Sequence, residues 1–341
     1  MGKFDDPPPI EPHHWPAGVT KEKPKVVAFK KPNGEDKTLP IPVGESAFSL
    51  VERELPEPVK LCDPWAVEGV NIVAGRPKLG KTTLERQKLA AAATGGEYLD
   101  SKFVNPTKCA FLSLEEGELL ARSKLRSASF PEAALTGIQL FFEWPRGEVG
   151  ADLLDRYLTL NADVRLVVID SLTRFRNLPD PKSPAFMADY DAINLLHEVS
   201  KKHPGVVLDV VHHTRKVRSD DPIDDVSGTY GLTAAADCIT VLRSQGQAVV
   251  MYVYGRMWAR EDNQYSLKRN AKYGWDMLGV HLDITEAQKD ALERVRNAVG
   301  GFSGSELAET LGITKQSAWQ RLDELLEKGL VTKIHGRVYA K

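Results

Sequence analysis

The segment from Gly75 to Thr83 has the residue types and spacing of a phosphate-binding loop. Gly75 and Gly80 are separated by four residues and are followed by Lys81 and Thr82, which fits the pattern G-x-x-x-x-G-K-[ST]. The backbone N–H groups of such a loop surround nucleotide phosphates at a helix N-terminus. The predicted nucleotide contacts are Gly75, Arg76, Pro77, Lys78, Leu79, Gly80, Lys81, Thr82 and Thr83.

Three side chains of this loop have separate expected roles with ATP. Lys81 is expected to reach the β and γ phosphates, and the Thr82 hydroxyl to coordinate Mg²⁺. Thr83 is expected to contact the α phosphate. A glycine turn with an incidental lysine is the alternative, but the position between an apolar run and an alanine-rich helix favours the nucleotide site.

Phosphoryl transfer also needs a carboxylate near the metal, and Asp170 ends the apolar run RLVVID. Open α/β sheets bind ligands at the C-terminal ends of their strands, so we predict that Asp170 acts with Thr82 at the metal. A core strand ending in a charged residue would show the same pattern. Residue 171 is serine, so the carboxylate that activates water must come from another strand.

Glu115 is the candidate for that carboxylate. It follows the strand candidate CAFLSL and should reach the same rim of the sheet, where it could act as a general base. A helix cap is the alternative. Glu116 and Glu118 are expected in the first turn of a helix, where negative charge offsets the helix dipole.

Short β-branched runs alternate with helical stretches between Phe48 and about Met277, which predicts a doubly wound, mainly parallel sheet. Later segments that alternate apolar and polar residues predict antiparallel edge strands. The strand candidates are VNIVA (70–74), CAFLSL (109–114), IQLFF (138–142), RLVVID (165–170), VVLDVVH (206–212) and CITVLR (238–243), followed by AVVMYVY, QYSLKRN and YGWDML.

The sequence pattern changes after Asp283, where helical segments replace the alternation of strands and helices. Capping boxes at Thr285–Gln288 and Ser303–Glu306 predict helix starts, and a third helical stripe precedes a hairpin that turns at His335–Gly336. This order predicts a winged helix-turn-helix. The expected organisation is a flexible proline-rich arm (1–45), an α/β ATPase domain (46–282) and the winged helix (283–341).

Composition is that of an ordinary soluble protein, and we expect the protein to be cytoplasmic. The chain has 341 residues, 27% charged residues and a net charge of −2, so no global basic excess indicates a nucleic-acid binder. Its three cysteines lie far apart, without the spacing of a disulfide framework or zinc site. No signal peptide or membrane span is readable.

Several of these motifs occur in an order that resembles the RecA-like core of the RepA family of hexameric replicative DNA helicases. They are GRPKLGKTTL, SLEEGELLARSKL, LVVIDSLTRF, VVHHTRK and VSGTYGLTAAADCITVLRS, and the resemblance covers about residues 48–280. It implies a ring-forming helicase of plasmid, phage or mobile-element replication, with ATP and Mg²⁺ as cofactors and single-stranded DNA as partner.

The resemblance also implies roles for individual residues. Glu115 would activate water, and His213, with His212 as second choice, would respond to the γ phosphate. An arginine of the neighbouring subunit would complete the site, and Arg256 is the candidate. Many relatives carry a lysine two residues before that arginine, where this chain has Tyr254, so Arg243 and Arg260 stay open as substitutes.

Two loops and the winged helix supply the candidate DNA contacts. The first loop could also stack Phe175 on a base, although basic residues in exposed loops are usually only solvated. The wing adds Lys333, His335 and Arg337, but the nearly neutral C-terminal domain fits a protein partner almost as well. The DNA candidates are Arg174, Arg176 and Lys182 in the first loop, Arg215, Lys216 and Arg218 in the second, and Lys315, Gln316 and Arg321 in the recognition helix.

Two functions of different classes follow from the sequence. The first is an ATP-driven helicase or translocase that moves on single-stranded DNA as a ring. The second is an ATP-switched DNA-binding regulator or a recombinase-like ATPase, in which the winged helix recognises DNA or a partner. Glu115 together with Arg256 favours the first, because a switch does not require a fast hydrolytic site.

Overall fold

The computed structural model describes residues 26–30, 36–40, 44–178, 185–215, 217–226, 230–245, 248–255, 264–272, 274–281, 284–298 and 300–340. The chain divides into two compact units, Met1–Glu57 and Pro58–Lys341. In the first unit, β1 (Val26–Lys30) pairs antiparallel with β2 (Asp36–Pro40), and α1 spans Ala47–Glu52. The prediction of a flexible arm did not include this strand pair.

The second unit contains the sheet and its helices. Its elements up to the last sheet strand are β3 (Lys60–Cys62), β4 (Ala66–Val67), β5 (Gly69–Gly75), α2 (Lys81–Thr94), β6 (Glu97–Tyr98), β7 (Ser101–Lys102), β8 (Lys108–Ser113), α3 (Glu118–Ala128), α4 (Glu132–Thr136), β9 (Ile138–Phe141), α5 (Gly147–Leu160), β10 (Val164–Asp170), α6 (Leu172–Phe175), α7 (Ala185–Lys202), β11 (Val207–His213), α8 (Tyr230–Ala235), β12 (Cys238–Gln245), β13 (Ala248–Gly255), β14 (Gln264–Arg269) and β15 (Trp275–Val280).

Nine of these strands form one sheet in the order β15-β14-β13-β12-β5-β11-β10-β8-β9. The strands from β12 to β9 in this order are parallel, whereas β12 to β15 pair antiparallel. The predicted fold class, a mainly parallel sheet with antiparallel edge strands, is confirmed. The central position of β5 places the phosphate loop beside the ends of β11 and β10.

The central strands are apolar along their length because both faces of the sheet are covered. All seven residues of β5 are buried, and β10 and β11 are almost as well buried. Helix α2 packs on one face with Leu84 and Leu89, while α5 and α7 cover the other face with residues such as Leu154 and Leu196. A parallel sheet needs this double cover, so its strands read as continuous hydrophobic runs.

The C-terminal segment folds as a winged helix with its own core. Its elements are α9 (Glu286–Arg296), α10 (Gly304–Leu311), α11 (Lys315–Glu327), β16 (Val331–Ile334) and β17 (Arg337–Ala340). Both predicted capping boxes form, and Gly312 ends α10 in the left-handed conformation that glycine adopts without strain. Buried residues such as Leu307, Leu322 and Val338 fill the core. Among the described helices, none has the length and hydropathy needed to cross a membrane.

Candidate nucleotide site

The phosphate loop connects β5 to α2, as the sequence pattern requires. Gly80 caps α2 in a left-handed conformation with a φ of 104°. A side chain at this position would collide with the Arg269 guanidinium and approach the Trp275 ring. Glycine is therefore needed at residue 80 for both its backbone conformation and its lack of volume.

Lys81 is held by the loop itself in this structure. Its ammonium donates hydrogen bonds to the carbonyl oxygens of Gly75 at 2.7 Å and Arg76 at 3.1 Å. Burial lowers the pKa of Lys81, while the negative charges of Asp170 and Glu115 act in the opposite direction. An anion entering the loop would exchange these carbonyl contacts for a charged partner.

Thr82 and Asp170 lie in direct contact. The Thr82 hydroxyl donates a hydrogen bond of 2.6 Å to Asp170 Oδ2, and the carboxylate is 4% exposed. Burial raises the pKa of Asp170. Both side chains offer oxygen ligands, and Mg²⁺ is usually held by one or two carboxylates together with substrate phosphates. The two residues therefore fit the metal that the phosphate loop implies.

Glu115 lies at the same rim, as the sequence placed it. Its Oε1 accepts a short hydrogen bond from the Ser171 hydroxyl and lies 3.4 Å from His213 Nε2. The hydrogen bond to His213 is the main cause that lowers the pKa of Glu115 to about 2, and the Ser171 hydroxyl adds to it. The carboxylate is therefore ionised at neutral pH, which is the form that a general base requires.

His213 lies between Glu115 and Lys81. Its Nδ1 is 3.3 Å from Lys81 Nζ. An ammonium group has only donors, so Nδ1 must accept and Nε2 carries the proton that faces Glu115. His212, the next residue along β11, is 4% exposed and faces the interior, in keeping with the alternation of side chains on a strand. Of the two histidines, His213 is the one that the structure places at the site.

A cavity of about 810 Å³ adjoins α2, the helix that follows the phosphate loop. Thr83 and Arg86 line it from α2, Ser127 and Phe130 from the α3 region, and Arg269 from β14. The Arg269 guanidinium lies 4.0 Å from the centre of the Trp275 ring. The indole N–H of Trp275 donates to the Gly80 carbonyl at 3.2 Å. These walls can enclose the nucleoside part of a nucleotide whose phosphates lie in the loop.

Arg269 and Trp275 were not among the predicted site residues. Trp275 is 195 residues from Gly80 in the sequence, and nothing in the local pattern of either residue marks it as part of a site. Only the pairing of β14 and β15 at the sheet edge brings them there. Gln87 fixes this edge, because its side chain accepts from the Trp275 N–H at 2.8 Å and donates to the Trp275 carbonyl at 2.9 Å.

Of the arginines considered for action on a neighbouring subunit, Arg243 is engaged within its own chain. Its Nε lies 2.7 Å from Asp225 Oδ2, and its Nη2 donates to the Ser219 carbonyl at 2.8 Å. With 10% of its side chain exposed, it holds the second loop in place. These contacts hold Arg243 within its own chain, and its action on a neighbouring subunit stays a prediction. Arg256 and Arg260 lie outside the described residues.

The first DNA-loop candidate is only partly available for DNA. Phe175 is fully buried in the sheet core and cannot stack on a base, which corrects that expectation. Arg176 is 17% exposed and pairs with the buried Asp189 of α7 at 2.9 Å. This ion pair connects the loop to α7 and leaves little of the guanidinium available to a ligand. Arg174 is exposed. Lys182 lies outside the described residues.

The second loop begins directly at the site. Thr214 follows His213, and its N–H donates to the Gly75 carbonyl at 3.3 Å. Asp225 fixes the loop, since its carbonyl accepts from the Arg215 N–H at 2.7 Å and its carboxylate accepts from the Ser219 N–H at 2.7 Å. The Arg215 and Arg218 side chains are exposed, with Arg218 donating to the Ser244 carbonyl. Lys216 lies outside the described residues.

The winged-helix candidates also separate into two groups. Lys315 and Gln316 are exposed at the N-terminus of α11. Arg321 donates to the Ala287 carbonyl at 3.3 Å, and Arg337 pairs with Glu306 at 2.9 Å, so these two arginines support the domain. In the wing, His335 and Lys333 are exposed, with the Lys333 ammonium 4.6 Å from the centre of the Trp319 ring.

The phosphate loop follows the central strand β5, Asp170 ends β10, which is two strands from β5, and Glu115 follows β8, the neighbour of β10. This arrangement defines a P-loop ATPase with a RecA-like core. The chain belongs to the AAA domain family, whose sequence profile matches residues 39–219. Residues 282–337 match the MarR family, in agreement with the C-terminal winged helix. No curated protein matches the chain.

Two solved structures are similar to the chain. A KaiC-like protein from the hyperthermophilic archaeon Pyrococcus horikoshii is 16% identical, with a TM-score of 0.44 over 64% of this chain and 93% of the archaeal one. The RadB recombinase is 18% identical, with a TM-score of 0.46 over 62% of this chain and 91% of its own.

Proposed function

We propose that the protein is an ATP-driven helicase or translocase that assembles as a ring and moves on single-stranded DNA. The RepA-family resemblance suggests this activity, and the geometry of the nucleotide site supports its hydrolytic half. Lys81 would hold the β and γ phosphates, and Glu115 would take a proton from the attacking water. When bound to Thr82 and Asp170, Mg²⁺ would supply charge neutralisation at the transferring phosphoryl group.

The observation that carries this proposal is the position of His213. It contacts both Lys81 and Glu115, and the loop with Arg215 and Arg218 begins at the next residue. A γ phosphate bound by Lys81 would change the contacts of His213, and β11 would pass this change to the loop. Exposed arginines on such a loop can bind the phosphate backbone of a single strand.

Assembly as a ring would complete the site. The transferring phosphoryl group gains charge compensation from an arginine that another subunit supplies in many P-loop enzymes. With Arg243 engaged at Asp225, we propose Arg256 for this role and Arg260 as its substitute. The winged helix would then bind duplex DNA or a loading partner through Lys315 and Gln316.

A forked-duplex unwinding assay tests the proposal. Wild type should separate the strands with ATP and Mg²⁺, and Lys81→Ala, which removes the phosphate-binding cation, serves as the blank. Mass measurement in solution with a slowly hydrolysed ATP analogue should show an oligomer. Hydrolysis of ATP without strand separation, over a range of salt and magnesium concentrations, would remove the helicase half of the proposal and leave an ATPase of another kind.

A second function is favoured by the winged helix itself. Its MarR-family match and the exposed N-terminus of α11 suit an ATP-switched regulator that reads duplex DNA. Such a regulator should bind one duplex sequence far more tightly than others and displace no strand. Binding measured on random and selected duplexes, with and without the ATP analogue, separates it from a motor, which should prefer single strands irrespective of sequence.

A further inference from the structure

The residue that follows Glu115 is also acidic, and its side chain is almost completely buried. Only 9% of the Glu116 side chain is exposed. Its Oε1 pairs with the guanidinium of Arg86, and its Oε2 lies 2.6 Å from Lys124 Nζ. Glu116 thus binds two cations from two different helices. It precedes α3, which begins at Glu118, so the expected contribution to the helix dipole applies to Glu118 alone.

The two cations lie on the elements that border the nucleotide site. Arg86 is on α2, one helical turn beyond Thr82, and it is 5% exposed. Its guanidinium also lies 5.7 Å from the centre of the Phe111 ring, which limits its movement. Lys124 is on α3 and is 44% exposed. Glu116 therefore ties the turn between β8 and α3 to the helix that carries the phosphate-binding residues.

A backbone hydrogen bond fixes the start of the turn between β8 and α3. The Leu114 N–H donates to the Asp170 carbonyl at 2.8 Å. Glu115 lies between this hydrogen bond and the Glu116 ion pairs, so two fixed residues determine where its backbone lies. A general base must be within hydrogen-bond reach of the attacking water, and a displacement of about 1 Å can cost on the order of 10²-fold in rate.

Burial distinguishes these contacts from an ordinary surface ion pair. Exposed pairs restrict geometry weakly because water competes for both charges. Arg86 and Glu116 are both almost inaccessible to water, so loss of either charge leaves the other without compensation and displaces the turn. Glu115, the residue before Glu116, would move with the turn.

We propose that Glu116 is a positioning residue for Glu115: through Arg86 and Lys124 it holds the turn at the distance from α2 at which the Glu115 carboxylate meets the attacking water. The inference rests on the proposed hydrolysis of ATP by this site. It assigns to Glu116 no contact with nucleotide or water.

A double-mutant cycle between the two glutamates tests this role. The variants are Glu116→Gln, Glu115→Gln and the double variant, with kcat and KM for ATP, affinity for a fluorescent ATP analogue and thermal midpoint measured for each. Glu116→Gln should lower kcat on the order of 10-fold with analogue affinity within about 2-fold of wild type, because Glu116 itself lies neither in the phosphate loop nor in the lining of the adjoining cavity. In the Glu115→Gln background the same change should alter kcat less than about 2-fold, since no base remains to be positioned.

Matched variants separate positioning from folding. Glu118→Gln removes an exposed carboxylate of the same helix start and should leave kcat, KM and analogue affinity unchanged. If Glu116→Gln lowers the thermal midpoint markedly, Lys124→Met carries the test, because its exposed side chain can change without opening the core. It should lower kcat by a smaller factor and should be silent in the Glu115→Gln background.

The outcomes separate this inference from the proposed function. Equal losses of kcat in both backgrounds, or a loss of analogue affinity that accounts for the whole effect, would overturn the positioning role while ATP hydrolysis stands. Full activity of Glu116→Gln would do the same. A wild-type protein that binds the analogue but hydrolyses no ATP would overturn both proposals.

Discussion

The hydroxyl of Thr82 and the carboxylate of Asp170 are joined by a hydrogen bond of 2.6 Å, although 88 residues separate them in the chain. The contact links the first turn of α2 to the end of β10. It places the two side chains that would hold Mg²⁺ next to each other.

Replacement of Asp170 by asparagine tests this pair. The amide can still accept from Thr82 but lacks the negative charge that attracts a divalent cation, so Mg²⁺ should no longer strengthen nucleotide binding. Titration of a fluorescent ATP analogue with Mg²⁺ or with EDTA measures the effect. Wild type should bind more tightly with Mg²⁺, whereas the affinities of Asp170→Asn should agree within about 2-fold, and Thr82→Ser, which keeps the hydroxyl, should behave as wild type. A variant with full magnesium dependence would contradict the assignment.

Glu115→Gln should lower kcat for ATP by about 10²- to 10⁴-fold, the usual contribution of a general base. Affinity for the ATP analogue should be retained, because Glu115 is not part of the phosphate loop and the glutamine amide oxygen can still accept from Ser171. Steady-state hydrolysis and analogue binding measured on the same preparation give the two numbers. A loss of binding in place of turnover would indicate that Glu115 supports the pocket and does not act on water.

The pKa of Glu115 predicts a dependence of stability on pH. His213 and Ser171 lower this pKa to about 2, below the value of about 4.3 expected in the unfolded chain. The ionised carboxylate therefore stabilises the fold above about pH 4.3, and this contribution is lost as pH falls toward 2. The difference in unfolding free energy between wild type and Glu115→Gln should shrink as pH falls from 6 to 3.

Denaturant unfolding at a series of pH values measures this difference. The comparison within one protein pair cancels most other titrations, including those of the nearby groups Asp170 and Lys81, which are present in both proteins. His213→Gln should reduce the pH dependence, because it removes the hydrogen bond with the largest effect on the pKa of Glu115. A difference that is constant over this range would show that Glu115 does not have a lowered pKa.

Trp275 should report nucleotide binding through its fluorescence. Its indole N–H donates to the Gly80 carbonyl within the phosphate loop, so ordering of the loop around phosphates changes its surroundings directly. Addition of an ATP analogue should change the tryptophan emission of wild type, and Trp275→Phe should lose most of that change while keeping the other five tryptophans of the chain. An unchanged response in Trp275→Phe would place the responding indole elsewhere.

Short sequence patterns predicted the parts of the fold that depend on residues close together in the sequence. Runs such as LVVID read as strands because both faces of a parallel sheet are buried, and capping boxes marked helix starts at Thr285 and Ser303 because their hydrogen bonds span three residues. The phosphate loop was predictable for the same reason, because its glycines, lysine and threonine lie within one short segment of the sequence.

Residues whose environment depends on distant segments were not predictable in this way. Phe175 and Arg176 belong to a motif that suggests an exposed loop, yet the packing of α6 and α7 buries the ring and pairs the guanidinium with Asp189. Arg243, a candidate for action between subunits, pairs with Asp225 of its own chain. Burial and ion pairing of a side chain are properties of its neighbours in space, which a single sequence does not specify.

By itself the sequence determined the fold class, the nucleotide-binding loop and the residue types at the ends of the strands, because each follows from periodicity or spacing within a short segment. Only the tertiary structure decided which of two adjacent histidines contacts Lys81 and Glu115, that Arg243 is paired within its own chain, and that Arg269 and Trp275 border the loop. These outcomes depend on strand order and helix packing, which bring together atoms from segments as much as 195 residues apart.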